Sequence, residues 1–180
     1  GASSSNDISV QVYKGEAKQL KASQRSSITL RVWNKNNLIG ITSTSDLSNE
    51  GLRKALKSAY DASSFANADE NPDFSPLSKE VLSSIDKPVS KFWGIKRLYE
   101  ELRNAENQLL KKHPAIVDVP YNGFSEVNYE RLYINSDGAR RYLNNTQSTL
   151  YLYAKAEENK KKPRSSGSIK IAYGSDEIDI

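Results

Sequence analysis

The hydrophobic period of this chain changes twice, and that limits its fold more than any motif does. Residues 8–13 alternate, with Ile8, Val10 and Val12 on one side and Ser9 and Gln11 on the other. A two-residue period belongs to a half-buried strand. "KQLKASQ" is a weaker strand candidate, and "SITLRVWN" alternates again, Ile28, Leu30 and Val32 standing opposite Thr29, Arg31 and Trp33. Residues 34–37, "NKNN", read as a turn, because Asn tolerates left-handed backbone. "LIGITST" then reads as the paired strand, with Gly40 marking a bulge or a close approach.

From Ser48 the period lengthens. Ser48 is the expected N-cap, and Leu47 and Leu52 have the spacing of a hydrophobic staple. Leu52, Ala55, Leu56, Ala59 and Tyr60 make one apolar helix face. The helix fades in the polar, proline-containing stretch "ASSFANADENPDFSP". A second, longer helix is expected from about Asp86 or Pro88 to Lys112, with Phe92, Ile95, Leu98, Leu102, Ala105 and Leu109 as its apolar positions. Lys111 and Lys112 suit the negative end of its dipole, and Pro114 forbids its continuation. The short period then returns in "AIVDV", in "ERLYINS" before the turn "NSDG", in "RRYLNNTQ" leading into "STLYLYAKAE", and in "SIKIAYG". Strands, helix, long helix, strands is the order of an α+β fold: antiparallel sheet with two main helices packed on one side.

Little conventional active-site chemistry fits this sequence. There is no cysteine and one histidine, His113, so thiolate chemistry, Cys-ligated zinc and a His-pair metal site are all excluded within the chain. His113 sits at a helix end before proline, where a C-terminal cap is the plainer reading than a catalytic base. No G-x-S-x-G, G-x-G-x-x-G or P-loop occurs. Glu100 and Glu101 are adjacent on a helix and cannot share a face. The residues therefore offer no catalytic, cofactor-binding or metal site. The net charge is +4 with a pI near 9.1, and acids and bases interleave along most of the chain.

Two features remain as candidate contacts. Lys160, Lys161, Lys162 and Arg164 crowd around Pro163 in "EENKKKPRSSG", a candidate partner or nucleic-acid contact that otherwise reads as a solvated hairpin loop. Tyr151 and Tyr153 share one strand face in "LYLYAKA". They would either stack bases or cover a neighbouring strand, and the second is the commoner use of tyrosine in sheets. Residues 1–6 read as a cloning scar or flexible lead-in, and residues 7–180 as a single excised domain. At the other end Ser175 or Asp176 is placed to cap a helix that Glu177 and Asp179 would favour.

"ITLRVWNKNNLIGITSTSDLSNEGLRKALKSAYDAS" resembles the N-terminal domain of the TldD/PmbA family, once called modulators of DNA gyrase. "YINSDGARRYLNNTQSTLYLYAKAEE" is similar to the family's Asn-Ser-x-Gly turn and the hydroxyl-rich strand after it. "HPAIVDV" and "RSSGSIKIAYG" fit in the same order. Ser26 and Ser27 stand where the family commonly has glycine, and Asn36-Asn37 replaces its Asp-Gly-like turn.

The resemblance implies a zinc metallopeptidase system that cleaves unfolded or extended peptides, with a His-Glu-x-x-x-His helix lying beyond this domain. Zinc would belong to the full-length family partner, and no ligand position carries over to this chain. It further implies a non-catalytic scaffold, a second family subunit as partner in a homo- or heterodimer, a peptide substrate, a C-terminal peptidase-type domain outside this sequence and a cytoplasmic location. Exposed strand edges would suit an extended peptide by β-addition. The alternative reading is a nucleic-acid-binding module built on the basic loop and the tyrosines.

Overall fold

The computed structural model describes residues 1–66, 76–79 and 92–180. Six strands and two α-helices run in the order β1 (Ala2–Tyr13), β2 (Glu16–Trp33), β3 (Ile39–Thr44), α1 (Asn49–Ser63), α2 (Ile95–Lys112), β4 (Ile116–Ile134), β5 (Arg140–Ala156) and β6 (Arg164–Ala172), with 3-10 turns at Pro76–Lys79 and Ser175–Glu177. The strands form one antiparallel α+β sheet in the order β3-β2-β1-β4-β5-β6.

The strands are longer than their sequence signals. "KQLKASQ" and "SITLRVWN" are one strand, β2, and "AIVDV" and "ERLYINS" are one strand, β4. Pro120 and Gly123 hide the continuity of β4. Pro120 lacks an N–H, and the buried Asn122 side chain supplies pairing there instead. Its Oδ1 accepts from Val12 N at 2.9 Å, and its Nδ2 donates to Val12 O at 2.9 Å and Val119 O at 3.0 Å. Residues 2–6, read above as a lead-in, belong to β1, and the Gly1 ammonium donates to Thr29 O at 2.8 Å. The acids after Ser175 start only a 3-10 turn: Ser175 faces inward, and Ile178 is buried.

The expected helix start at Asp86 or Pro88 lies outside the described residues, as do residues 67–75 of the proline-containing stretch. Residues 92–94 are not helical, and α2 begins at Ile95 behind Gly94 at φ 82°.

The chain divides into two compact units. Unit 1 comprises Gly1–Ser5, Arg25–Asp86 and Glu130–Asn144. Its helix α1 is capped as expected, Ser48 Oγ accepting from Gly51 N at 3.0 Å. Two asparagines close its turns in the same way. Asn34 Oδ1 accepts from Asn36 N and Leu38 N, and Asn135 Oδ1 from Ala139 N at 2.9 Å, each side chain standing in for a backbone acceptor.

Unit 2 comprises Asn6–Gln24, Lys87–Tyr129 and Asn145–Ile180. Ile8, Val10, Val12, Phe124 and Leu150 come from its strands, Leu98 and Leu102 from α2 and Ile178 from the end, forming one buried cluster. Trp93 meets Phe124 edge-on with centroids 5.9 Å apart, and the Arg97 guanidinium stacks 3.8 Å from the Trp93 ring.

Candidate functional site

The four basic residues singled out in the sequence span a turn and the start of a strand. Lys160, Lys161 and Lys162 lie in the exposed β5–β6 turn, Lys160 with φ 65°. Arg164 is instead the first residue of β6, opposite Ala156. β6 thus takes in "RSSG" as well as "SIKIA", the stretch that the family resemblance reads as one strand. Lys161 pairs with Glu158, and Lys155 with Glu157 at 2.6 Å. The Lys155 ammonium donates to the Glu157 carboxylate, whose charge also attracts it, and both raise the lysine pKa above its ordinary value.

The fold brings further cations to the same end of unit 2. Glu157 N donates to Ala115 O at 2.8 Å, which places the turn beside the C-terminal end of α2 with Lys111, Lys112 and His113. His113 ends that helix in extended backbone, and its Nδ1 accepts from Ala115 N at 3.1 Å. His113 is the C-cap residue of α2, and its imidazole braces the exit from the helix.

The tyrosines serve as covers for glycines. A Cβ on Gly123 would fall 2.5 Å from the Tyr151 ring, and one on Gly167 would fall 2.4 Å from the Tyr153 ring. Tyr151 OH also accepts from Gln11 Nε2 at 2.8 Å. Each ring lies across a glycine on a neighbouring strand, and both residues are half-buried. Their faces are spent on the sheet, as the structural reading of the sequence expects.

Two buried carboxylates went unnoticed in the sequence. Glu126 is 0% exposed and accepts from Trp93 N at 2.8 Å and Ser175 Oγ at 2.9 Å, while Ser175 shares a 2.7 Å hydrogen bond with Ser148. Glu106, 1% exposed, accepts from Lys14 N at 3.0 Å and Gly15 N at 2.7 Å in the β1–β2 turn. Each acid neutralises orphan backbone donors, at the start of α2 and at a turn with positive φ. Neither faces solvent, so neither is placed for proton transfer with a ligand. Among the described residues, no group of three or more His, Cys, Asp or Glu side chains is arranged to hold a metal.

Unit 1 carries an open apolar groove of about 1170 Å³, with Leu30 and Val32 from β2, Leu132 and Ile134 from β4, and Leu52 and Leu56 from α1 among its walls. It exists because α1 rests on β3 through small residues. A Cβ on Gly40 would lie 1.8 Å from Ala59 O, and Ala55 and Ala59 are buried there. The expected apolar face of α1 is therefore divided. Its alanines pack, while Leu56 and Tyr60 stay exposed. Asp137 on the rim pairs with Lys79 at 3.8 Å.

With this geometry in place, comparison with known proteins gives a consistent result. A sequence model described as PmbA/TldA metallopeptidase domain 1 matches residues 2–63, and one described as PmbA/TldA metallopeptidase central domain matches residues 91–180. No curated protein sequence matches significantly. The fold is similar to the crystal structure of TldE from Thermococcus kodakarensis, with TM-score 0.81 and 17% identity over 96% of this chain and 39% of that one. It is also similar to two candidate modulators of DNA gyrase. The one from Bacteroides thetaiotaomicron gives TM-score 0.79 and 14% identity over 98% of this chain and 40% of that one. The one from Thermotoga maritima gives TM-score 0.74 and 15% identity over 99% of this chain and 40% of that one. The chain spans about two fifths of the length of these structures.

Proposed function

This chain belongs to the PmbA/TldD metallopeptidase family, and from that premise we propose that it is a non-catalytic scaffold and assembly part of a family protein that cleaves unfolded or extended peptides. The observation that carries the reading is how the chain uses its polar chemistry. Among the described residues, the fully buried carboxylates of Glu106 and Glu126 are spent on backbone N–H groups, and the one histidine of the sequence braces a helix exit. Those are structural tasks.

A zinc ion of the kind the family name implies does not fit these residues. A catalytic zinc needs about three protein ligands converging on an open position. The sequence offers one histidine and no cysteine, and among the described residues the buried acids Glu106 and Glu126 are already engaged. Zinc, the peptidase step and the C-terminal peptidase-type domain therefore belong, in this reading, to residues outside this sequence.

The unit 1 groove supports an assembly role. It exposes apolar side chains from two strands and a helix in one place, and such surfaces commonly meet a partner. The partner in this reading is another family subunit or further residues of the same protein, and the location is cytoplasmic by family likeness. Among the described residues, no helix is long and apolar enough to cross a membrane.

Two measurements test the proposal. The 180-residue chain, supplied with zinc and an unfolded fluorogenic peptide, should give no cleavage above background; cleavage abolished by a chelator would overturn the non-catalytic reading. The reading frame downstream of Ile180 should encode a domain of this family. A different domain there would remove the family-level assignment of role.

A further inference from the structure

Strand β6 is an open edge. Arg164–Ala172 pairs with β5 on one side, and among the described residues no strand pairs with its other side. Every residue of it except Ala172 is exposed. Such an edge offers a row of free N–H and C=O groups to another chain. Natural edges are usually blunted by charge along their length, and residues 16–24 of β2, outside its register with β3, follow that rule with Lys18 and Lys21. β6 differs, since Ile169 and Ile171 are 55% and 65% exposed with only Lys170 between them.

Those isoleucines lie on the tyrosine face. In the β5–β6 register Tyr151 stands opposite Ile169 and Tyr153 opposite Gly167. The free edge thus borders an apolar row. It also starts at the basic end of unit 2. Lys111 and Lys112 precede Ala115 by three or four residues, and Lys160 follows Glu157 by three, so both groups lie within about 15 Å of the Ala115–Glu157 hydrogen bond by chain reach. Lys111, Lys112, Lys155, Lys160, Lys161, Lys162 and Arg164 there outnumber Asp118, Glu157 and Glu158, so this end is strongly positive.

We propose that β6 accepts an extended acidic segment of a peptide substrate as an added strand, its carboxylates over the lysines beside Arg164 and its apolar side chains continuing the row of Tyr151 and Ile169. The edge selects a polypeptide, because only a peptide backbone repeats donors and acceptors in step with a strand. The positive end selects acidic residues at one terminus of the segment. Nucleic acid is disfavoured because the Tyr151 and Tyr153 rings are committed to Gly123 and Gly167. The proposal rests on the peptide-handling reading above, to which it adds a place in the chain and a charge preference.

The test uses the whole 180-residue chain and a labelled peptide of alternating Val and Thr with an Asp-Glu-Asp run at one end, in both polarities, followed by fluorescence anisotropy. Saturable binding is expected in one polarity. It should weaken about tenfold or more on combining Lys161→Glu with Lys162→Glu, and similarly when the acidic run becomes Asn-Gln-Asn. Both lysines are exposed, and unchanged circular dichroism of the variant confirms its fold. Binding should be lost when alternate peptide nitrogens are methylated along the pairing edge.

Equal binding of the methylated peptide would overturn strand addition in favour of charge alone. Equal binding of the neutral peptide would remove the role of the basic end. Tighter binding of a mixed oligonucleotide, weakened by the same lysine variants, would assign the surface to nucleic acid. A concentration-dependent dimer that the peptide dissociates would make a second copy the occupant. No peptide binding here, with peptide cleavage by the full-length protein intact, would sink the β6 proposal and leave the family-level reading standing. Cleavage by this chain alone would sink that reading instead.

Discussion

Both units place a helix on antiparallel strands, yet they are held by different means. In unit 2, α2 lays Leu98 and Leu102 onto Val10, Val12 and Phe124, and all five are essentially inaccessible. In unit 1, α1 meets β3 through Ala55, Ala59 and Gly40, and its larger side chains, Leu56 and Tyr60, are about half exposed. Large interlocking side chains bury much apolar area and fill space. Small ones let backbones approach but leave the neighbouring surface uncovered, and the groove is that uncovered surface. Unit 2 closes its apolar face over a buried cluster, and unit 1 leaves part of its own exposed.

The largest expected effect lies in the unit 2 core. Phe124→Ala removes a ring that touches Trp93 and the α2 leucines, and should cost about 3–5 kcal/mol by urea denaturation. Leu56→Ala in unit 1 should change stability by less than about 0.5 kcal/mol, because that side chain is 53% exposed. Similar losses at the two positions would break the contrast, since Leu56 would then be supporting a core and not lining a docking face.

A smaller effect tests the close approach in unit 1. Gly40→Val would drive a side chain into Ala59 O and Ser63 N, and the helix must lift to admit it. A loss of about 1–3 kcal/mol is expected, as for other overpacked contacts. Hydrogen exchange should show it first in the α1 amides. Protection of α1 unchanged in the variant would mean that the helix is held by something other than this contact.

These differences were unequally legible in the sequence. The period change gives the two helices and the order of elements along the chain but not the sheet order, and Ser48 and the asparagine turns fall where they are expected, because caps and turns are local. What was missed depends on distant partners. β4 reads as two strands since Pro120 and Gly123 look like breakers, and only Val12, far away in sequence, shows how Asn122 repairs the pairing. Glu106 carried a usable signal. It lies four residues after Leu102 on the apolar stripe of α2, where a carboxylate must find a buried donor. Glu126 had the matching one, two residues after Phe124 on the inward face of β4. The joining of Lys111 and Lys112 to the β5–β6 turn had none, because it rests on the long-range bond from Glu157 to Ala115.

At the start of α1 the contrast can be tuned more finely. Unit 1 relies on local polar devices, so removing one should be felt: Ser48→Ala should cost about 1 kcal/mol, the usual worth of an N-cap, seen as a lower urea midpoint. An unchanged midpoint would place the hold of α1 entirely in its alanine contacts.

The smallest effect is a pH dependence at the same cap. Asp46 has its pKa below the ordinary aspartate value chiefly because the Ser48 hydroxyl hydrogen-bonds its carboxylate, and then because Ser48 N donates to it at 3.0 Å. A carboxyl with a depressed folded pKa stabilises the protein above its unfolded pKa of about 3.9, and the contribution is lost as pH falls through the lower folded value. The carboxyl is fully exposed, so solvent screening keeps the effect small. Asp46→Asn should therefore flatten the acid limb of the melting-temperature profile below the ordinary aspartate range and leave it alone at neutral pH. By NMR, the Asp46 carboxyl should titrate below 3.8 in the parent chain and move up in Ser48→Ala, which removes the larger of the two causes. A midpoint that stays low without the hydroxyl would transfer the effect to the backbone amide and to Lys54, and the cap would then be held by the chain's own turn.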